Sequence, residues 1–278
     1  MTTRDRIESK LGYQSLFDFS DAVEAVNFAA DAGFKAVELN LGNPYYLDQL
    51  RRARERARIR AAARRRRVAV LVHSVDGLSF FRVDWQQAKM NLGMLKQLIR
   101  CATAAEVCHF TLHLGVDMFY GYSAGKKYTY EIYPKLFADN LTRVLRELRE
   151  FARDQVTLGV ENVGGFRYPW VFPLMHRILG GNLCLTMDVG HINVYKGRVK
   201  EAEEDFFKNH RRLIRSSHLH DNDGKWDMHD IIGNGSINFI PYLRMLAKQN
   251  AWCIFEVRPK ESAVECLRRF RETLAPQL

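Results

Sequence analysis

Eight short runs rich in aliphatic and β-branched residues alternate along the chain with longer segments whose apolar positions recur every three or four residues. The runs are "GYQSLF" (12–17), "AVEL" (36–39), "VAVLVH" (68–73), "HFTLH" (109–113), "TLGVE" (157–161), "CLTMD" (184–188), "RSSHLH" (215–220) and "WCIFE" (252–256). Runs of this length and make-up predict buried strands, and the 3.6-residue period between them predicts amphipathic helices. In "SDAVEAVNFAADAG" (20–33), Ser20 is a candidate cap, Ala22, Val23, Val26 and Ala30 form the apolar stripe, and Gly33 ends the helix. Comparable patterns fill 46–67, 85–105, 128–153, 170–179, 199–210, 239–249 and 262–274. Eight strand–helix units predict an α/β fold built as a single (β/α)8 barrel, with residues 1–278 as one domain. A chain of 278 residues that is 47% hydrophobic, without a Ser/Pro/Gly-rich tract, agrees with that organisation.

Charge and cysteine content narrow the function classes. The net charge of +10 invites a nucleic-acid partner, but "RRARERARIRAAARRRR" (51–67) alone carries ten arginines and one glutamate, a local +9 that leaves about +1 for all other residues. The basicity therefore belongs to one helix. That helix follows the second strand, so its Arg64–Arg67 end lies away from the catalytic face of a barrel. A solvated, salt-bridging outer helix is the expectation, with a partner or oligomer contact second. Cys101, Cys108, Cys184, Cys253 and Cys266 form no C-x-x-C pair and read as reduced, packed thiols. The charged "MTTRDRIESK" start lacks the apolar core of a signal peptide, and no run is long enough to span a membrane, so the expected location is cytoplasmic.

His73, His113, Glu161, Asp188, His218 and Glu256 each stand at or beside the C-terminal end of a different predicted strand. Active sites in this architecture are built on that face. One such residue is usually a helix cap or a backbone partner. Six drawn only from His, Asp and Glu form a ligand set for a divalent ion such as Zn, Mn, Co or Mg. The stretch "SSHLHDNDGKWDMHDIIGNGSINF" (216–239) adds His220, Asp227 and His229. Asp227 and His229 lie two apart, on one side of an extended segment. Asp221, Asp223 and Asp230 are expected in turns and caps, Lys225 and Trp226 in a lid, and the glycines of "GNGSI" in a turn.

The motifs "AADAGFKAVEL" (29–39), "VENVGG" (160–165), "MDVGH" (187–191), "HLHDNDG" (218–224), "HDIIGNGSINF" (229–239) and "FEVRP" (255–259) resemble those of the xylose isomerase-like TIM barrel superfamily. That superfamily contains sugar and sugar-phosphate isomerases and epimerases, inosose dehydratase-like enzymes and the endonuclease IV family. The resemblance implies a metal centre of Glu161, Asp188, His218 and Glu256, with Glu161 and Glu256 also acting as acid and base. The endonuclease branch adds ligands, and His73, His113, His191, Asp227 and His229 match those positions. It thereby implies two or three zinc ions as the alternative to one.

The expected activity is metal-dependent isomerisation or epimerisation of a small-molecule sugar or sugar phosphate by proton abstraction beside a metal-bound carbonyl. His191, His220 and Arg258 are the candidate substrate-binding residues. Abasic-site phosphodiester hydrolysis is the alternative, with a related dehydratase and a non-catalytic sugar- or metal-binding barrel behind it. Two features favour sugar over nucleic acid: "HSVDGLSFF" (73–81) lacks the tyrosine found after the equivalent histidine in the nucleases, and "HLGVD" (113–117) lacks their proline. Tyr120, Tyr122, Phe166, Tyr168 and Trp170 are candidate sugar-stacking residues. "DMFYGYSAGKKYTY" (117–130) is a candidate cover for the pocket, with Lys126 and Lys127 placed to meet a phosphate.

Overall fold

The computed structural model of the chain describes residues 1–278, the side chain of Asp154 excepted. Eight parallel strands close into a barrel: β1 (Leu11–Ser15), β2 (Ala36–Asn40), β3 (Ala69–His73), β4 (His109–Leu112), β7 (Thr157–Glu161), β8 (Leu183–Asp188), β9 (Ile214–Leu219) and β10 (Trp252–Phe255). The remaining two, β5 (Phe119–Tyr122) and β6 (Gly125–Tyr128), pair antiparallel as a separate hairpin. The barrel runs β1-β2-β3-β4-β7-β8-β9-β10 and closes by pairing β10 with β1. Because each crossover is helical, the apolar faces of the helices cover the outer wall and the barrel strands are largely buried.

Strand residues alternate between two cores. Outward-pointing Tyr13, Val37, Leu39, Val70, Val72, Phe110, Leu112, Val160, Met187 and Phe255 join the helices in the main cluster, while Ala36, Leu71 and Ile254 form a small plug inside the barrel. Above that plug the inward positions turn polar, with Gln14, Glu38, Thr111, Thr186 and His218 all buried. Above these, towards the C-terminal ends of the strands, come His73, Glu161, Asp188, His220 and Glu256, also buried. The barrel is therefore apolar at one end and densely ionisable at the other.

Local chemistry moves several boundaries from their predicted places. The helix over 22–32 is capped by Asp21, whose carboxylate accepts from Val23 N at 2.9 Å, and not by Ser20. Its end at Gly33 is as expected, since φ of +90° suits glycine. The single helix expected over 46–67 is two, Pro44–Arg51 and Ala53–Arg66, separated by extended Arg52. Pro134 likewise starts a new helix, Pro134–Phe151, after a short turn of helix at Thr129–Ile132, where one helix over 128–153 was expected. At the foot of the barrel the arginine helix meets acidic neighbours, Arg64 pairing with Glu106 and Arg66 with Asp31, while nearer the strands' C-terminal ends Arg58 holds Asp21 at 2.8 Å. No helix among the described residues is long and apolar enough to cross a membrane.

Candidate metal centre

Each strand end delivers one or two side chains to the same space. Asp188 closes β8 and caps the next helix, accepting from His191 N at 2.7 Å, so His191 stands one turn further on. Gly190 between them has no Cβ for a reason: one there would sit 1.9 Å from the His220 ring. The segment after β9 is folded back by Asp221, which exchanges backbone bonds with Asp230 and whose carboxylate accepts from Gly233 N and Ile237 N. Asp223 accepts from Lys225 N and Trp226 N. These are the turn roles expected of the three aspartates. They bring Asp227 and His229 over the barrel mouth, with His229 in the left-handed region at φ 49°. Such a conformation costs a β-carbon-bearing residue about 1 kcal/mol or more and persists where surroundings enforce it. Here His229 Nδ1 donates to the Glu256 carbonyl at 3.0 Å.

Three groups of ligand-capable atoms result, within 4.8 Å in each: Glu161, Asp188, His218 and Glu256; His73, Asp76 and His113; and His191, His220, Asp227 and His229. Glu161 joins them. Its Oε2 lies 3.2 Å from His73 Nε2 and 3.0 Å from His113 Nε2, while its Oε1 lies 3.4 Å from the Nδ1 atoms of both His191 and His218. His191 Nε2 is 3.0 Å from Asp227 Oδ2, and His220 Nε2 is 3.1 Å from Asp188 Oδ1. Because His73 Nδ1 donates to the Ser74 carbonyl at 2.9 Å, Nε2 is the nitrogen that faces the centre; His229 is fixed in the same way.

Burial opposes charge throughout, yet the groups hold one another ionised. Glu161 carries that burial cost but is kept well below the usual carboxylate range by His218 and His113, and Glu256 likewise by His218 and His229. On His73, burial is outweighed by the hydrogen bond and charge of Glu161, which lift its pKa to about 9. His229 is raised to about 9 chiefly by Asp227, and His191 to about 10 by Asp188 and Asp227, in each case against the effect of burial.

The donor set fits divalent ions, and the orphaned atoms say where. His191 Nδ1, His218 Nδ1 and Glu256 Oε2 are buried without a hydrogen-bond partner, although His218 Nδ1 and Glu256 Oε2 are only 2.8 Å apart. Buried polar atoms are normally paired. Close approach of several unpaired donors and acceptors without bonding geometry is what a shared cation resolves. Glu161, Asp188, His218 and Glu256 suit one ion, and the two other groups supply His and carboxylate ligands for more.

A cavity of about 310 Å³ opens above, lined by Leu16, Asn40, His73, Asp76, His113, Glu161, Val163, His191, Asp227, His229, Glu256 and Arg258. Arg258 lies 3.2 Å from Glu256 Oε1 and donates to Gln14 Oε1 at 2.5 Å. His220 is fully buried beneath the lining. A second cavity of about 480 Å³ lies behind the His191 helix, lined by Met187, Ile192, Phe207 and Tyr242 among others, and no ligand-group residue reaches it. Of the aromatic candidates, Phe166 is buried against Phe172, Phe206 and Phe207, and Tyr168 stacks on Tyr130 at 3.6 Å. The expected pocket cover is the hairpin β5–β6. It stands exposed and clear of the lining, and Lys126 packs over Phe119 and Tyr128.

Two members of this constellation escape a reading of strand ends. Asp76, three residues past β3, carries no periodic signal. Glu38 does: it is an acid between Val37 and Leu39 in the middle of β2, on the inward side with Ala36.

Residues 26–273 match the xylose isomerase-like TIM barrel family. The chain belongs to that family. It is 27% identical over 191 residues to the protein MJ1614 of Methanocaldococcus jannaschii, covering 67% of this chain and 69% of that one. Among solved structures it is similar to a D-tagatose 3-epimerase-like protein, with a TM-score of 0.74 and 23% identity over 95% of this chain and 97% of that one. It is also similar to endonuclease IV from Thermus thermophilus, with a TM-score of 0.67 and 17% identity over 96% of this chain and 99% of that one. At these identities the structural likenesses show the shared fold.

Proposed function

We propose that this member of the family is a metal-dependent isomerase or epimerase of a small sugar or sugar phosphate. One observation carries the reading: of the four residues in the central ligand group, Glu161 and Glu256 line the cavity while Asp188 and His218 lie behind it. Two carboxylates of the ion-binding group thus face the substrate, where they can take and give protons. A divalent ion held by the four would draw electron density from a carbonyl and acidify the neighbouring C–H. Glu256, which lines the cavity, takes the proton. Glu161, whose Oε2 faces His73 Nε2 at 3.2 Å, would pass a second proton, supplied by that imidazolium, to the other face of the same carbon. Arg258 fixes the second oxygen of Glu256, and His191 and Asn40 offer polar contacts to hydroxyls. A cavity of about 310 Å³ matches a monosaccharide.

A second reading, hydrolysis of a phosphoester, is favoured by the two additional ligand groups, since paired ions suit in-line displacement at phosphorus. Against a DNA substrate, the Arg64–Arg66 end of the basic helix lies at the opposite end of the barrel, and Arg258 is the one Lys or Arg in the cavity lining. The deciding experiment follows solvent deuterium into a panel of ketoses and ketose phosphates, alongside incision of duplex DNA containing an abasic site. Exchange at the carbon beside the carbonyl supports the isomerase reading. Incision without exchange overturns it.

A further inference from the structure

Beneath the central ligand group lies a closed layer of buried polar side chains, and the hydrogen-bonding capacities of its members leave one consistent arrangement. Arg258 has no acceptor, so its 2.5 Å bond to Gln14 must end on the Gln14 carbonyl oxygen, which also accepts from Asn40 Nδ2 at 3.1 Å. The Gln14 amide nitrogen therefore points at Glu38 Oε2, 3.1 Å away, and donates. On the other side, Thr111 Oγ1 donates to Glu38 Oε1 at 3.0 Å. A hydroxyl has one proton to give, so across its 3.2 Å contact with Thr186 Oγ1 Thr111 accepts. Thr186 has then spent its own proton and accepts from His109 Nε2 at 2.9 Å. Gly159 makes room for this contact, since a Cβ there would lie 2.2 Å from Thr186 Oγ1 and 2.5 Å from His109 Nε2. Every bond in the layer is thus directed towards Glu38, a carboxylate that only accepts. The 2.9 Å bond from His218 Nε2 to Glu38 Oε2 follows the same direction.

We infer that Glu38 is a positioning residue that locks His218 as the Nε2–H tautomer and so presents its Nδ1 lone pair to the ion held with Glu161, Asp188 and Glu256. This rests on the reading that the four-residue group binds a divalent ion. The free nitrogen is the one that finds no hydrogen bond in the structure and that lies 2.8 Å from Glu256, 3.4 Å from Glu161 and 3.7 Å from Asp188. A carboxylate on the far nitrogen of a ligating imidazole fixes the ring and raises its basicity. Through Gln14 the same carboxylate also orients Arg258, which holds Glu256. Glu38 therefore reaches two of the four ligands without touching substrate.

The test uses full-length zinc-loaded protein labelled with ¹⁵N-histidine, and zinc titration of Glu38→Gln and Thr186→Val. Long-range proton–nitrogen spectra should show Nε2–H on both His218 and His109, with His218 Nδ1 shifted by the metal. An amide at position 38 brings donors into a site where all neighbours already donate, so Glu38→Gln should weaken zinc at the central group by about 10- to 100-fold. Thr186→Val disturbs the same layer but leaves Thr111 donating to Glu38, and should bind zinc as the wild type does. A wild-type affinity in Glu38→Gln, or an Nδ1–H tautomer on His218, overturns the inference while leaving the metal reading intact. If Glu38→Gln does not fold, the wild-type tautomers decide alone. Wild-type protein that takes up no zinc overturns both.

Discussion

The barrel mouth and the arginine helix on the outer wall are the two most charged regions of the molecule, and they are built on opposite terms. Along the helix over 53–66 the charges are exposed or half-exposed and several meet carboxylates at the surface: Arg64 with Glu106, Arg66 with Asp31, Arg58 with Asp21 and Glu55. At the mouth the charges are buried, shared between three and four partners, and leave atoms such as His218 Nδ1 and Glu256 Oε2 unpaired. Exposed pairs contribute little and ask for nothing further. Buried, incompletely bonded groups are costly unless something else completes them. Function is therefore to be sought where charge is confined, even though the helix dominates the net charge.

The sharpest break of this contrast is Glu256→Gln, which removes both a ligand and the proposed base. Turnover should fall by about 10²- to 10⁴-fold, and bound metal by elemental analysis should fall with it; retention of both would remove the mouth's claim to be the site. Next comes a buried pair with no role in chemistry. Arg167 donates to Glu203 at 2.5 Å, and Glu203 is fully buried and also bonded by Asn162, which holds the Asp188 backbone. Arg167→Met leaves that carboxylate without its cation and should cost about 3–5 kcal/mol in urea unfolding.

Replacing His73 and His113 together by alanine sharpens the comparison within the mouth. The expected result is loss of metal from their group alone, with the Glu161, Asp188, His218 and Glu256 ion retained. Loss of all metal would show the groups to be inseparable.

Acidity gives a fourth measurement. The folded-state pKa values of His73 and His229, about 9, and of His191, about 10, lie above the ordinary histidine value near 6.5. In ion-free protein their protonation stabilises the fold fully below about pH 6.5, and that contribution is lost as pH rises through about 9 to 10. Metals must displace the same protons, so apparent zinc affinity should rise with pH across this window. Isothermal titration at several pH values reads the proton release. The smallest effect belongs to the helix: Arg64→Ala removes an exposed ion pair with Glu106 and should change stability by less than about 1 kcal/mol.

The eight barrel strands, and the six ionisable residues at or beside their ends, are legible in the sequence because burial on both faces imposes apolar runs, and six runs that each stop at a His, Asp or Glu are more than helix caps call for. Asp227 and His229 are legible through their spacing. The fold-back that delivers them depends on Asp221 bonding to residues nine to sixteen positions away, which no local pattern encodes. Glu38 is hidden differently. It lies inside a strand, where a lone acid looks like an exception to the apolar pattern until its partners from β1, β4 and β9 are known. The helix break at Arg52 involves neither proline nor glycine, and the hairpin β5–β6 lies within a loop read only by its tyrosines.

That hairpin is fastened at its base by one side chain. Asp117 accepts from Met118 N at 2.7 Å on the outgoing strand, and from Tyr130 N at 2.6 Å and the Thr129 hydroxyl on the return. Both feet are thus gathered at a single carboxylate, and the exposed ribbon above it contributes nothing to the cavity lining. In engineering terms it is a socket with an exchangeable insert: residues 119–128 can be replaced by another ribbon or a short turn while Asp117 keeps the ends in register, giving a place to graft new recognition beside the pocket without rebuilding the barrel.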